Sequence, residues 1–211
     1  WQVDPAIGKE WFGKVMHTGA YPLKSDSYGG SFIYGIAEDK LALGYVVGLD
    51  HKDAKLDPHA LFVQWKQHPR IRSLLKGGKV LRYGAKTIPE GGYFSMPKLY
   101  GDGFVQVGDT AGFVDIAKLK GIHLAIKSGM LAAQAIREAI QKEDTSEASL
   151  KRYDDLFETS WAKDELWKTR NYRQAFAKGM FTGMLDFGVA MVTGGRGLVA
   201  RRDGHADHTT M

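Results

Sequence analysis

The most informative absence in this 211-residue sequence is cysteine, which does not occur at all. Without cysteine these residues can form no disulfide, no thiolate nucleophile and no cysteine-ligated zinc or iron–sulfur site. The seven histidines offer no substitute, because none shows the HExxH spacing of a metal-binding helix. No catalytic triad or carboxylate pair has convincing spacing either. The sequence therefore predicts no catalytic side chain and no metal ligand of its own.

Concentrated charge and long uninterrupted apolar runs are also missing. The formal net charge is +5, but the Lys and Arg residues are spread along the chain, so we expect no nucleic-acid partner. A mild positive excess is compatible with attraction to an anionic membrane surface. The apolar segment at residues 174–195 is interrupted by Lys178 and Asp186. It is therefore a poor fit to a helix that spans a membrane.

The beginning of the sequence lacks three further features, namely an initiator Met, a signal-peptide pattern and a GxGxxG nucleotide fingerprint. It opens with WQVDPAIGKEW, which is typical of the interior of a longer protein. We therefore expect this chain to be a piece of a larger one.

The first half of the sequence predicts a mixture of strands and helices. Residues 28–50 alternate around a turn at 38–40, which indicates a β-hairpin. Asp57 followed by Pro58 predicts the start of a helix that ends near Pro69. A strand is expected over residues 79–89. Two short strands should flank the turn at 101–103, the second of them buried because Phe104–Val107 is almost entirely apolar.

The second half predicts helices. Residues 121–141 form an amphipathic helix whose apolar positions recur at helical spacing. These positions are Ile122, Ala125, Ile126, Gly129, Ala132, Ala133, Ile136 and Ile140. A further helix is expected from about Ser149 to Tyr172, and residues 201–211 should be a disordered tail. Strands first and helices later indicate an α+β fold.

The run GDTAGFVDIAKLKGIHLAIKSGM, which begins at Gly108, has the form of half a nucleotide-binding site. Asp109 ends a strand, where a carboxylate can accept hydrogen bonds from sugar or ribityl hydroxyls. Gly108 and Gly112 allow close approach of a ligand, and Gly121 opens a helix whose N–H groups favour electron-rich atoms. A tight strand–loop–helix turn with a solvent-exposed Asp is the more common explanation of a short motif of this kind.

The longer pattern resembles the electron transfer flavoprotein–ubiquinone oxidoreductase family and, more widely, FixC-like and geranylgeranyl-reductase-like flavoproteins. The resemblance rests on that run together with HTGAYPL, YGGSFIYG, LGYVVGLD, QWKQHPRIRSLLKGGKVLRYGAKTIPEGGYFSMPKL and YDDLFETSWAKDELWKTRNYRQAF, in the same order. It covers nearly the whole chain. The GxGxxG segment and the iron–sulfur domain of the family are absent from these residues.

The resemblance implies a partial FAD/NAD(P)-binding-type flavoprotein fold with an antiparallel sheet and C-terminal helices. It implies a ubiquinone-binding domain at residues 1–100 and a second FAD-contacting segment at 101–148. C-terminal helices would occupy residues 149–211, with a membrane-surface segment at about 174–195. The implied activity passes electrons from reduced electron transfer flavoprotein through FAD to ubiquinone. A 4Fe–4S cluster would belong to the full-length parent and not to these residues.

The same resemblance implies the site residues. Asp109 would meet the ribityl chain of FAD, and Gly121, Ile122 and His123 would line the flavin ring. The pair Gly29–Gly30 would contact ubiquinone, although a hairpin entry or a β-bulge is the ordinary explanation for two such glycines. His17, in the matching HT pair, could relay protons to a reduced quinone, but a packed or surface histidine is more common.

The implied location is monotopic, on the bacterial cytoplasmic membrane or the mitochondrial inner membrane. Cations flank residues 174–195 on both sides, at Arg170, Arg173 and Lys178 and at Arg196, Arg201 and Arg202. An apolar segment bracketed in this way suits a helix in the bilayer interface, and an ordinary core helix is the alternative. Two other functions stay open. One is a related flavoprotein that acts on another lipid, and the other is a non-catalytic module that binds quinone or membrane.

Overall fold

The computed structural model describes residues 1–210, and among them all side chains except those of Lys178 and Met180. The chain divides into two compact units. The first contains Trp1–Lys86 together with the C-terminal residues from His205, and the second contains Thr87–Gly204. The functional division at residues 100 and 148 stays a prediction.

The first unit is built on a three-stranded antiparallel sheet of strands β1 (Val15–Gly19), β2 (Gly29–Ala37) and β3 (Lys40–Val47), with β2 in the centre. Ala37 pairs with Lys40 across the turn, so the predicted hairpin is confirmed. One face of the sheet, here called the inner face, carries Ile33 and Leu41, which are fully buried.

Three helices complete the first unit: α1 (Pro5–Trp11), α2 (Pro58–Lys66) and α3 (Pro69–Leu75). The Asp57 carboxylate accepts a hydrogen bond from the His59 N–H at 2.8 Å, which confirms the predicted cap of α2. Pro69 ends the run as expected and begins α3, because proline is favoured in the first helical turn. Side chains of these helices pack with Ile33 and Leu41 in one core.

The predicted strand at residues 79–89 is wrong. Only Lys79 forms a β-bridge, with Gln2, and residues 80–89 have no regular secondary structure. Val80, Leu81 and Ile88 are exposed, and Tyr83 is 91% exposed. The segment has the apolar composition of a strand but finds no ladder partner among residues 1–210.

In the second unit a 3-10 turn (Tyr93–Ser95) is followed by a small hairpin of β4 (Tyr100–Gly101) and β5 (Phe104–Val105), which confirms the turn predicted at residues 101–103. The expected burial of the second strand is wrong, because Phe104 and Val107 are exposed. The ring of Phe104 instead covers Gly101, where a Cβ would lie 2.4 Å from the ring. A two-stranded ladder has no central strand to bury.

The predicted amphipathic helix is α4 (Ile122–Gln141), but most of its predicted apolar positions do not face the core. Of the predicted positions only Ala132 is buried, and the core is packed by a stripe formed by Leu124, Ser128, Leu131, Ala132, Ala135 and Ala139. Ile122, Ile126, Ile136 and Ile140 are exposed. The helix therefore carries two apolar stripes, and only one of them is covered within the described residues.

The helix predicted from Ser149 to Tyr172 is divided into α5 (Glu147–Glu158) and α6 (Trp161–Lys168). Ser160 causes the break, because its hydroxyl accepts from the Lys163 N–H and caps α6. The predicted core positions Tyr153 and Phe157 are buried, and Phe157 meets Phe113 edge to face at 5.2 Å. They belong to the core beneath α4.

The last part of the unit contains α7 (Tyr172–Ala175), a 3-10 turn (Phe176–Lys178) and α8 (Met180–Val192). None of the helices among residues 1–210 has the length and apolar character needed to cross a membrane. The start of the expected tail is ordered, since Arg202 bonds the Asp186 carboxylate at 2.8 Å. Helices with small antiparallel sheets confirm the α+β class.

Candidate functional site

Gly29 and Gly30 lie at the start of the central strand β2, paired with Val47 and Val46 of β3. Their lack of side chains has a structural reason. A Cβ on Gly30 would lie 2.3 Å from the Thr18 carbonyl oxygen, and one on Gly29 would lie 2.2 Å from that of Val46. The close approach of neighbouring strands therefore requires both glycines, whatever else they contact. Loss of activity on their substitution would not identify a ligand.

The sheet face opposite the core, here called the outer face, is apolar. The strand pairing places Val15, His17 and Gly19 of β1 on this face with Gly30, Phe32 and Tyr34 of β2 and Ala42, Gly44 and Val46 of β3. Val15 is 62% exposed and Val46 is 38% exposed. Antiparallel sheets with one face in solvent normally place polar side chains there. This composition indicates a face that meets an apolar ligand or surface.

His17 and Tyr34 supply the polar atoms of the outer face. The Tyr34 hydroxyl lies 3.3 Å from His17 Nε2, and the Tyr34 ring stacks on Phe32 with centroids 4.7 Å apart. Phe32 itself lies across Gly44, in the space that a side chain there would occupy. The result is a flat aromatic patch with one imidazole at its edge.

The residues predicted to contact flavin lie close together in the second unit. Gly108 and Gly112 have positive φ values of 68° and 79°, which favour glycine, and they flank a 3-10 turn (Asp109–Ala111). The Gly108 N–H donates to Ser128 Oγ at 2.9 Å, which ties the turn to α4. The Asp109 side chain is exposed and has no bonding partner among residues 1–210.

The start of α4 lies beside this turn. Gly121 is its N-cap and no side chain caps the helix, so the first N–H groups are open to a ligand. A Cβ on Gly121 would lie 3.1 Å from Asp109 Oδ1, which places the free carboxylate at the helix N-terminus. Ile122 is 80% exposed. These groups fit the sugar-like chain and electron-rich ring edge of a flavin.

A charge cluster next to α4 was not predicted from the sequence. Glu165 of α6 accepts hydrogen bonds from His123 Nε2 at 2.9 Å and from Lys118 Nζ at 2.6 Å. Lys118 Nζ also lies 3.1 Å from Oδ2 of the buried Asp115, close enough for an ion pair. Trp161 stacks parallel to the His123 ring at 6.0 Å. The partners are 42 and 47 residues apart, and no local pattern links them.

The cluster shifts the pKa values of its members. Burial disfavours the charged form of Glu165, but hydrogen bonds from Lys118 and His123 outweigh it and hold its pKa below the ordinary value. The hydrogen bond to Glu165 raises the pKa of Lys118. Both side chains are therefore charged at neutral pH, and the His123 ring is fixed through Nε2.

Helix α8 presents an apolar stripe to solvent. The stripe consists of Phe181, Met184, Leu185, Gly188, Met191 and Val192. Phe181 is 89% exposed. The other side of α8 packs inward, with Phe187 edge to face against Tyr172 at 4.6 Å and Gly183 against the Phe176 ring.

The cations predicted to bracket this segment are partly engaged within the protein. Arg170 is buried and donates to the carbonyl oxygens of Trp167, Gly195 and Ala200. Arg202 pairs with Asp186. Arg196 is exposed, and nothing is described of the Lys178 side chain. The apolar stripe, more than these cations, is therefore the part of the segment that is open to a partner.

Comparison with protein families finds a match for the first unit. Residues 1–88 match the family model described as "ETF-QO, ubiquinone-binding". The match includes the whole three-stranded sheet, with Gly29, Gly30 and the outer face.

Curated relatives extend the similarity over the rest of the chain. The electron transfer flavoprotein–ubiquinone oxidoreductase of Caenorhabditis elegans, named as mitochondrial, is 42% identical over 97% of this chain and 35% of its own length. That of Oryza sativa subsp. japonica, also named as mitochondrial, is 41% identical over 87% of this chain and 31% of its own length. That of Pseudomonas aeruginosa is 36% identical over 100% of this chain and 38% of its own length.

These comparisons confirm the resemblance noted from the sequence. The chain spans about a third of the length of the relatives it matches.

Proposed function

We propose that this chain is part of an electron transfer flavoprotein–ubiquinone oxidoreductase. Residues 1–88 match a ubiquinone-binding domain, and nearly the whole chain is similar to oxidoreductases of this name. The enzyme passes electrons from reduced electron transfer flavoprotein through FAD to ubiquinone at a membrane. The match of residues 1–88 is the observation that carries this proposal. Electron transfer flavoprotein and ubiquinone are the proposed partners.

The quinone part of the proposal concerns the first unit. Gly29 and Gly30 would contact ubiquinone through the backbone that they leave uncovered. The apolar outer face, which begins at Gly30 and continues through Gly44 and Phe32, suits a flat ring with an isoprenoid chain.

The flavin part concerns the second unit. Gly108, Asp109 and Gly112 would hold the ribityl chain, while Gly121, Ile122 and His123 would line the ring. FAD would supply two-electron redox chemistry, and these residues would bind and orient it. The open N–H groups of α4 would favour negative charge on a flavin ring edge bound there, and Glu165 accepts a hydrogen bond from the His123 imidazole in the first turn of the helix. The sequence contains no cysteine, so the 4Fe–4S cluster of the proposed enzyme would be bound outside these residues.

The membrane part concerns α8. Its apolar stripe would lie in the bilayer interface, as a monotopic attachment to the bacterial cytoplasmic membrane or the mitochondrial inner membrane. Attachment at the bilayer would bring the enzyme to the membrane in which ubiquinone resides.

The test uses the full-length oxidoreductase that carries this chain. We expect reduced electron transfer flavoprotein to reduce it and ubiquinone to reoxidise it, with turnover followed by the loss of quinone absorbance. Absence of quinone-dependent turnover in the flavin-loaded protein would contradict the proposal. Turnover with another lipid substrate would favour the FixC-like or geranylgeranyl-reductase-like alternative. Quinone or vesicle binding without any turnover would favour the non-catalytic alternative.

A further inference from the structure

We propose that His17, positioned by Tyr34, donates a hydrogen bond and then a proton to a carbonyl oxygen of a quinone bound on the outer face. This inference rests on the proposed function and assigns a proton donor to the same reaction. Two observations support it. Strand pairing places His17 near the proposed quinone contacts, and its imidazole lies on a face that is otherwise largely apolar.

The strand register places His17 close to the proposed quinone contacts. His17 pairs with Phe32, two residues along β2 from Gly30, and Gly19 pairs directly with Gly30. His17 is therefore a diagonal neighbour of Gly30 on one face of an antiparallel pair, and such neighbours lie about 7–8 Å apart. A quinone ring over Gly30 would lie within reach of the His17 imidazole.

The surroundings of His17 exclude other polar candidates on this face. Its neighbours there are Val15, Phe32, Gly44 and the hydroxyl of Tyr34. A quinone carbonyl that leaves water for an apolar surface needs a hydrogen-bond donor, because an unpaired polar atom is costly there. Among outer-face side chains of the described sheet, His17 and Tyr34 are the ones that can donate.

The contact between these two side chains defines their roles. Tyr34 O lies 3.3 Å from His17 Nε2, so the hydroxyl holds one ring nitrogen and leaves Nδ1 for a ligand. His17 is exposed, so it can regain a proton from water after each turnover. An imidazole ring can both donate and accept hydrogen bonds, which suits a group that passes protons to a ligand.

The chemistry balances as a two-electron reduction. Two electrons, which the flavin of the proposed enzyme would supply when bound, reduce the quinone ring, and both carbonyl oxygens become hydroxyl groups. The His17 imidazolium gives one proton to the nearer oxygen, and water gives the second proton to the other. The neutral imidazole then takes a proton from water, which restores the starting state.

The experiment compares three variants with the wild-type protein. H17A removes the donor, H17Q keeps a hydrogen-bond donor that cannot deliver a proton, and Y34F removes the positioning hydroxyl. H59Q replaces an exposed histidine of α2 and is the matched control. Binding of a short-chain ubiquinone is measured on the 211-residue chain through the backbone amide resonances of β1, β2 and β3, which the wild type and every variant retain. Turnover is measured on the flavin-loaded full-length protein, and the amide spectrum of the sheet verifies folding.

We expect H17A to bind the quinone about tenfold more weakly, the equivalent of one lost hydrogen bond. H17Q should bind within about threefold of the wild type but turn over about 100-fold more slowly, because general acid catalysis is lost. Added imidazole should restore turnover in H17A. Y34F should show a smaller loss of kcat with KM unchanged, and H59Q should match the wild type.

Two outcomes would overturn the inference, and they differ from each other. If the wild-type protein neither binds nor reduces the quinone, the proposed function fails and the inference falls with it. If the wild type binds and reduces the quinone while folded H17A and H17Q behave like it, the function stands and His17 is not the donor.

Discussion

At the scale of single residues, Glu165 offers the sharpest test of the cluster beside α4. Its pKa is held below the ordinary value of 4.5, so it stabilises the fold above that pH, and the stabilisation is lost as the pH falls through the depressed pKa. We expect E165Q to lower the free energy of unfolding by about 1 kcal/mol near neutral pH, since Lys118 is half exposed and partly screened. Urea unfolding at neutral and acidic pH measures the difference.

The control for this change is E143Q, an exposed carboxylate after α4. It should leave stability unchanged at both pH values. A deficit in E165Q that persists undiminished in acid would show that the carboxylate charge is not the source of the stabilisation.

Individual residues also show where sequence reasoning succeeds. Asp57 was identified as a cap because its partner lies two residues away, within reach of any local pattern. Glu165 was not identified, because Lys118 and His123 are distant in sequence and meet it through the packing of α6 near α4. The pair Gly29–Gly30 was found by resemblance, but the strand contacts that require those glycines are visible only in three dimensions.

At the scale of elements, α8 predicts vesicle binding. Its exposed stripe can bury large side chains in a bilayer interface, each contributing about 1.5–3 kcal/mol when fully buried. We expect the double variant F181S/L185S to bind anionic phospholipid vesicles at least about tenfold more weakly in a flotation assay. Because Arg170 and Arg202 are engaged internally, added salt should weaken wild-type binding only slightly.

The matched control is I126S/I140S, which removes two exposed side chains from the open stripe of α4. Vesicle binding should then be unaffected. Equal loss in both double variants would mean that exposed apolar area in general, and not α8, attaches the protein to lipid.

The elements also show why periodicity alone predicted the wrong buried face of α4 and a strand at residues 79–89. Helical spacing revealed that α4 has apolar positions, but it could not decide which of two stripes the core would cover. Alternation and β-branched residues at 79–89 signalled a strand, but a strand needs a neighbour, and none is present among the described residues. Both surfaces are apolar and open, which is typical of surfaces that pack against further polypeptide.

At the scale of the whole molecule, the division into two units predicts that the first folds without the second. The core of the first unit, centred on Ile33 and Leu41, shares no residue with the core beneath α4. Every member of the first core lies within Trp1–Lys86, so this segment alone contains a complete set of packing partners. We expect the isolated segment to unfold cooperatively in urea and to retain the β1–β2–β3 hydrogen-exchange protection pattern.

Two substitutions can distinguish a natively packed core in that segment from a collapsed chain without fixed packing. L41A removes a fully buried side chain and should cost about 2–5 kcal/mol, whereas I36A removes an exposed one and should cost under about 0.5 kcal/mol. In a collapsed but unpacked segment the two changes would have similar effects, because neither side chain would have fixed neighbours. A large difference between them would show that Trp1–Lys86 carries its own native core, and that the quinone site can be studied apart from the flavin loop.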